Sequence, residues 1–226
     1  MDRRQALRNL GLGAGAMVAT PTVIGLLQSC KSEPKDTYVL QFLSEGEFHA
    51  LTQMVDLIIP SDEAIPGALD VGVHKFIDAF WANVTPKTQG EVWEERYEPI
   101  QENIKSFFKM FTDEFRNKFK KELGDGEPEE FDEMLATYLK IPKEEQIEID
   151  ISMEDFYEAF AADATTQPDK EAAIFSLIAG IRSMTIWAWK TSEQIGKNVL
   201  WYDPIPGKQL GCIPLDEAGN GNDMAL

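Results

Sequence analysis

The apolar residues of this 226-residue chain recur at helical spacing, and this periodicity limits the fold more than any other feature. The longest apolar segment, from Lys170 to Trp189, is apolar nearly all round in its second half, which predicts a central buried helix. Alternation of apolar and polar residues, the pattern of a half-buried strand, persists nowhere for long. The sequence therefore predicts a mostly α fold, a single irregular helical bundle of six to eight helices.

Turn-forming residues mark the ends of the first two predicted helices. Ser44 begins a capping-box pattern, and Pro60 ends the helical pattern that follows. A loop rich in turn-forming residues comes next. The second helix is predicted to start at about Asp70 and to place Phe76 and Phe80 on its buried face.

Two later segments are predicted not to be helical. The acidic residues 144–150 are expected to form a turn into a helix near Met153. Three prolines and two glycines lie between Tyr202 and Leu215, which excludes a helix and predicts an extended Pro/Gly-rich C-terminal arm, with its tail, over residues 201–226. The folded domain is predicted to span residues 38–226.

The first thirty residues have the pattern of an export signal. Arg3 and Arg4 precede a long uncharged segment that ends at Cys30. The arginine pair resembles a twin-arginine signal for folded proteins, and the Leu-x-Ser-Cys ending resembles a lipobox, in which the cysteine is lipidated. We predict a signal over residues 1–29, a tether over residues 30–37 and a periplasmic, membrane-anchored lipoprotein. A transmembrane anchor is the alternative, since about 20 apolar residues span a bilayer.

Composition excludes several classes of binding site. The net charge of −18 argues against nucleic acid and against adhesion to anionic lipid headgroups. The two cysteines and two histidines form no cluster along the chain, so no zinc, iron–sulfur or haem site is predicted. No glycine-rich phosphate loop follows a strand, so no flavin or nicotinamide site is predicted. We therefore expect this chain to bind no cofactor.

Two groups of charged residues could carry chemistry. His74 lies four residues from both Asp70 and Asp78, a spacing that suits a metal site or a base with an orienting carboxylate. Solvated pairs at this spacing are far more common. Asp62 and Glu63 could act as acid and base, but a connection in which an aspartate caps the next element is the favoured interpretation.

The remaining candidates are aromatic residues and a thiol near the C-terminus. Trp187, Trp189, Trp201 and Tyr202 could stack on a cofactor, but core packing or a partner interface is favoured. Cys212 either forms a disulfide with a partner chain or is a buried structural thiol.

Motifs at both ends of the domain resemble one family. They are Val55-Asp56-Leu57-Ile58-Ile59-Pro60-x-Asp62, Pro66-Gly67-Ala68-x-Asp70-x-Gly72-Val73, Thr191-Ser192-Glu193-x-Ile195-Gly196, Tyr202-x-Pro204-x-Pro206-Gly207 and Gly211-Cys212. Together with the signal, they resemble gluconate 2-dehydrogenase subunit 3, the small-subunit family of flavin-dependent sugar and sugar-acid dehydrogenases. The middle of the chain, residues 91–168, carries no motif of this family.

The resemblance implies an accessory role. Members accompany a large flavoprotein of the glucose–methanol–choline type, which holds FAD and passes electrons to a c-type cytochrome. We therefore predict a non-catalytic subunit that binds, escorts for export and anchors this flavoprotein. A free-standing envelope lipoprotein for ligand binding or scaffolding is one alternative, and an enzyme that uses His74 or the acidic loop is another. The predicted docking residues are Pro66, Gly67, Tyr202, Pro204, Pro206, Gly207 and Cys212.

Overall fold

The computed structural model describes residues 38–87 and 100–201, together with residues 212, 214, 217 and 222. Within these residues there are seven α-helices and no β-strand, so the predicted mostly α fold is confirmed. The helices are α1 (Glu45–Ile58), α2 (Val73–Asn83), α3 (Gln101–Phe119), α4 (Pro128–Leu139), α5 (Lys143–Ala162), α6 (Lys170–Thr191) and α7 (Glu193–Asn198), with a 3₁₀ helix (Leu123–Asp125) between α3 and α4. The predicted signal, lipidation site and tether, and nearly all of the predicted arm, lie outside the described residues.

Helix α6 lies at the centre of the bundle and contacts all six of the other α-helices. Its first half is the part that is buried on nearly every side. The buried residues there are Ala172, Ala173, Ile174, Phe175, Leu177, Ile178 and Ile181. The prediction of a central helix is therefore confirmed, although the second half, whose composition carried that prediction, is the less buried half. Beyond Ile181 only Thr185 and Ala188 are buried.

The length and composition of α6 would also suit a membrane-spanning helix. Half of its most apolar window is buried inside the bundle, as expected when the other helices supply the apolar surroundings. Neighbouring side chains rather than lipid therefore account for the apolar first half of α6.

Phenylalanines from α3 and α4 fill the core on another side of the bundle. Phe108, Phe111 and Phe115 are fully buried along α3. The Phe115 ring stacks on Phe131 of α4 with ring centroids 4.9 Å apart. Each fully buried phenylalanine contributes about 1.5–3 kcal/mol relative to leaving it exposed, so this cluster is a major part of what holds α3 against α4.

Helix α1 starts with the predicted capping box. The Ser44 Oγ accepts the Glu47 N–H, and the Glu47 carboxylate accepts the Ser44 N–H at 2.8 Å. Lys105 Nζ lies 2.8 Å from the same carboxylate. Burial raises the pKa of Glu47, but the hydrogen bonds from Lys105 and Ser44 together outweigh burial, so its pKa is lowered. The cap thus also connects α1 to α3.

Two predicted helix boundaries are wrong. Helix α2 starts at Val73 rather than near Asp70, because Gly72 before it takes a left-handed conformation with φ of 79°. Residues 144–150 are helical rather than a turn, since α5 runs without interruption from Lys143. Glutamate has a high helix propensity and is favoured in the first turn, where α5 carries two.

A buried carboxylate attaches the segment before α1 to the body. Asp78 of α2 is fully buried and accepts the backbone N–H groups of Gln41, Phe42 and Leu43 at 2.8, 3.0 and 2.7 Å. These donors belong to a segment outside any helix, so no helical carbonyl is available to them. Asp78 therefore fixes the path by which the chain enters the bundle.

We expect Asp78→Ala to lower the free energy of unfolding by about 2–4 kcal/mol, because three backbone donors, of which that of Leu43 is buried, lose their acceptor. Asp132→Ala, at an exposed position of α4, should change it by less than about 0.5 kcal/mol. Urea denaturation followed by circular dichroism measures both values. Equal stability of the two variants would contradict this role for Asp78.

Candidate partner interface

The loop between α1 and α2 is held in shape by two of its own aspartates. Asp62 accepts the N–H groups of Ala64 and Ile65, both at 2.7 Å. Asp70 accepts the Ser61 hydroxyl at 2.6 Å and the Gly67 N–H at 3.0 Å. Both carboxylates are exposed, and these hydrogen bonds lower the pKa of each. Asp62 therefore closes its own loop, and the expectation that an aspartate of this loop caps the next helix is wrong.

The predicted docking residues Pro66 and Gly67 connect this loop to the body. The Pro66 carbonyl accepts the Trp189 Nε1–H at 2.9 Å. Gly67 is buried, and a Cβ at this position would lie 2.5 Å from the Ser61 backbone nitrogen. Any residue larger than glycine would therefore collide with the loop backbone. Docking through Pro66 and Gly67 stays a prediction, and the loop residues open to solvent are 60–65 and Asp70.

The predicted site around His74 is not assembled. The carboxylate of Asp70 bonds within the loop, and that of Asp78 bonds to the backbone before α1. The His74 ring packs against Phe48 with centroids 5.5 Å apart, and its buried Nδ1 has no hydrogen-bond partner. In the part of the chain that the structure describes, no group of three or more His, Cys, Asp or Glu residues could hold a metal ion.

Three aromatic rings from α2 and α6 form a cluster that we call the aromatic surface: Phe76, Phe80 and Trp187. The Trp187 ring lies 5.6 Å from Phe76 and 6.0 Å from Phe80, and the two phenylalanines are 5.7 Å apart. Phe76 is 40% exposed and Trp187 is 43% exposed. The prediction that Phe76 is on the buried face of α2 is therefore wrong, and Phe80 is only half-buried. The spacing of Phe76 and Phe80 predicted that they share one face of α2, but it did not predict whether that face points into the core.

The C-terminal aromatic residues do not act as one unit. Trp187 packs on α2, whereas Trp189 binds the Pro66 carbonyl from another side of the same helix. Trp201 is half-buried, and Tyr202 lies outside the described residues, as do Pro204, Pro206 and Gly207.

Cys212 is a free, exposed cysteine. The alternative that it is a buried structural thiol is therefore wrong. A disulfide between Cys212 and a partner chain stays a prediction.

Gly67→Ala should lower the free energy of unfolding by about 1–3 kcal/mol, because the new methyl group meets backbone atoms. Gly180→Ala on α6 is the matched control, since a Cβ there meets nothing within 4 Å. That control should gain about 0.5–1 kcal/mol from helix propensity. Thermal or urea unfolding measures both, and a stabilising Gly67→Ala would contradict the close approach.

The stability of the protein should depend on His74 at mildly acidic pH. Burial lowers the pKa of His74 from its usual 6.5, and Lys75 lowers this pKa further. The stability that neutral His74 contributes is complete above about pH 6.5 and is lost as the pH falls toward the lowered pKa of the folded state.

We therefore expect the Tm of His74→Gln to fall less than the Tm of the native protein when the pH is lowered from about 7.5 to 5.5. The carboxylates of Asp62 and Asp70 do not contribute to this difference. Because their pKa values are lowered, their protonation affects stability only below about pH 4. Parallel curves of Tm against pH for the two proteins would contradict the assignment of this pH dependence to His74.

The comparison with known proteins gives one match. The model of the family described as gluconate 2-dehydrogenase subunit 3 matches residues 45–207. This range contains all seven helices, the loop and the aromatic surface, and it covers more than half of the chain. No curated protein and no solved structure matches the chain. The resemblance found in the terminal motifs is confirmed, and the chain belongs to the gluconate 2-dehydrogenase subunit 3 family.

Proposed function

We propose that this protein is the accessory small subunit of a flavin-dependent sugar or sugar-acid dehydrogenase. It binds the large flavoprotein subunit, escorts that subunit across the inner membrane and holds it at the membrane. The observation that carries the proposal is the family match over the whole helical body. A family defined as one subunit of a dehydrogenase implies partnership with other subunits of that enzyme.

The aromatic surface supports a binding role. Three neighbouring aromatic rings, two of them about two-fifths exposed, are typical of the centre of a protein contact. The loop between α1 and α2 is held by its own hydrogen bonds, so its exposed residues have a fixed shape before any partner arrives. Both features favour docking of a preformed surface with little loss of entropy.

The N-terminal segment supports the export and anchoring parts of the proposal. Arg3 and Arg4 would direct the folded complex to the twin-arginine route, and lipid on Cys30 would tether it. FAD would lie in the large subunit, and a c-type cytochrome would take its electrons. The Pro/Gly-rich arm over residues 201–226 would extend the contact with the large subunit.

The test is co-expression with the flavoprotein encoded by a neighbouring gene. We expect the two chains to purify together and the flavoprotein to reach the periplasm. Arg3→Lys/Arg4→Lys should keep both chains in the cytoplasm, whereas Arg8→Lys, in the same positive segment, should not. Cell fractionation with measurement of bound FAD follows the flavoprotein. A flavoprotein that never purifies with this chain, or that is exported equally without the arginine pair, would contradict the proposal.

A further inference from the structure

We propose that the aromatic surface, with the cationic residues of the two segments that carry it, is where the large subunit docks. We also propose that the large subunit presents there an apolar patch flanked by carboxylates. This inference rests on the proposed function, and it adds the location and the chemistry of the contact. It places the contact on α2 and on the second half of α6.

The first argument is the rigidity of the three rings. They contact one another at 5.6–6.0 Å, and they project from helices whose other faces are buried in the core. On α2 the inner side chains include Ile77 and Trp81, and on α6 they include Thr185 and Ala188. A platform of this kind needs little ordering when a partner binds, and tryptophan is enriched among the residues that dominate binding energy.

The second argument is the distribution of charge. The chain has 39 acidic residues, yet residues 73–87 contain only Asp78, which is buried, and residues 172–192 contain none. The charged side chains that these two segments expose, wholly or in part, are cationic: Lys75, Lys87, Arg182 and Lys190. Protein interfaces are depleted in aspartate and glutamate at their centres and enriched in aromatic residues and arginine.

Another exposed apolar pair of the chain has the opposite surroundings. Ile147 and Ile151 on α5 are 50% and 54% exposed. Their helix carries seven exposed carboxylates, namely Glu144, Glu145, Glu148, Asp150, Glu154, Asp155 and Glu158. Carboxylates are therefore frequent along α5 and nearly absent along the two segments that carry the aromatic surface, where a partner with carboxylates would be complementary.

A protein partner fits this surface better than a lipid bilayer. More than half of the surface of Phe76 and of Trp187 is covered by the body, so these side chains lie against it rather than project from it. Aromatic residues that anchor a protein to a membrane must enter the headgroup region by roughly 5–10 Å. A half-covered platform is suited instead to a flat complementary protein surface.

The test measures the affinity of the full chain for the co-expressed flavoprotein. Phe76→Ser/Trp187→Ser should weaken binding roughly thirtyfold, as expected for loss of a central aromatic contact. Ile147→Ser/Ile151→Ser is the matched control, because it removes a somewhat more exposed apolar pair elsewhere and should leave the affinity unchanged. Circular dichroism melting shows which variants are folded.

A charge reversal on α6 tests the charge part of the inference without altering the core. Arg182→Glu, at an exposed position, should weaken binding about tenfold at low salt, and the effect should shrink as salt is added. Lys143→Glu on α5 is its control and should bind as the native chain does. If the aromatic variant fails to fold, the arginine variant decides the question by itself.

The outcomes separate the two proposals. A native chain that does not bind the flavoprotein contradicts the proposed function. A native chain that binds, while the folded aromatic variant and Arg182→Glu bind equally well, overturns only the present inference. Flotation with vesicles of phosphatidylethanolamine and phosphatidylglycerol should be the same for the native and variant chains. Loss of flotation in a variant that still binds the flavoprotein would overturn the inference in favour of a lipid surface.

Discussion

Burial of the first half of α6 is the constraint on which the rest of this structure depends. Helices pack around residues 172–181 on nearly every side, so these positions must be apolar or small. Thr185 is tolerated at the edge of this region because its hydroxyl donates to the Ile181 carbonyl at 2.7 Å. Beyond that point α6 is covered on one side only, and this incomplete cover leaves Trp187 available on the surface. The composition of the core and the exposure of Trp187 thus both depend on how α6 is packed.

Several carboxylates of this acidic chain stabilise the fold by accepting backbone N–H groups. Asp78 binds the backbone that leads into α1, while Asp62 and Asp70 shape the loop before α2. In each case a carboxylate accepts N–H groups that lie outside helices and have no helical carbonyl to bond. The carboxylates of this chain therefore stabilise the fold as well as giving the surface its negative charge. They are nearly absent from α2 and the second half of α6.

Membership in the gluconate 2-dehydrogenase subunit 3 family and the aromatic surface bear on function in different ways. The family match implies other subunits, but it does not say which side of the molecule meets them. The surface supplies a candidate side from packing and charge alone. The proposed lipid on Cys30 and the proposed docking surface on the helical body would together make this chain a tether for a larger enzyme.

Several features could be predicted from the sequence because they depend on near neighbours along the chain. The capping box at Ser44, the end of α1 before Pro60 and the mostly α character follow from local propensity and spacing. The terminal motifs also identified the family. None of these conclusions requires knowing which helix packs against which.

Only the tertiary structure decided which neighbours are contacted by side chains that lie one helical turn apart. Asp70, His74 and Asp78 have the spacing of a site, but each side chain faces a different neighbour, so the spacing produced no site. Phe76 had the spacing of a core residue, yet its outer side is left open by the position of α6. Sequence periodicity defines the face of a helix, because that geometry is local. Whether the face is covered depends on helices distant in sequence, and only their packing determines it.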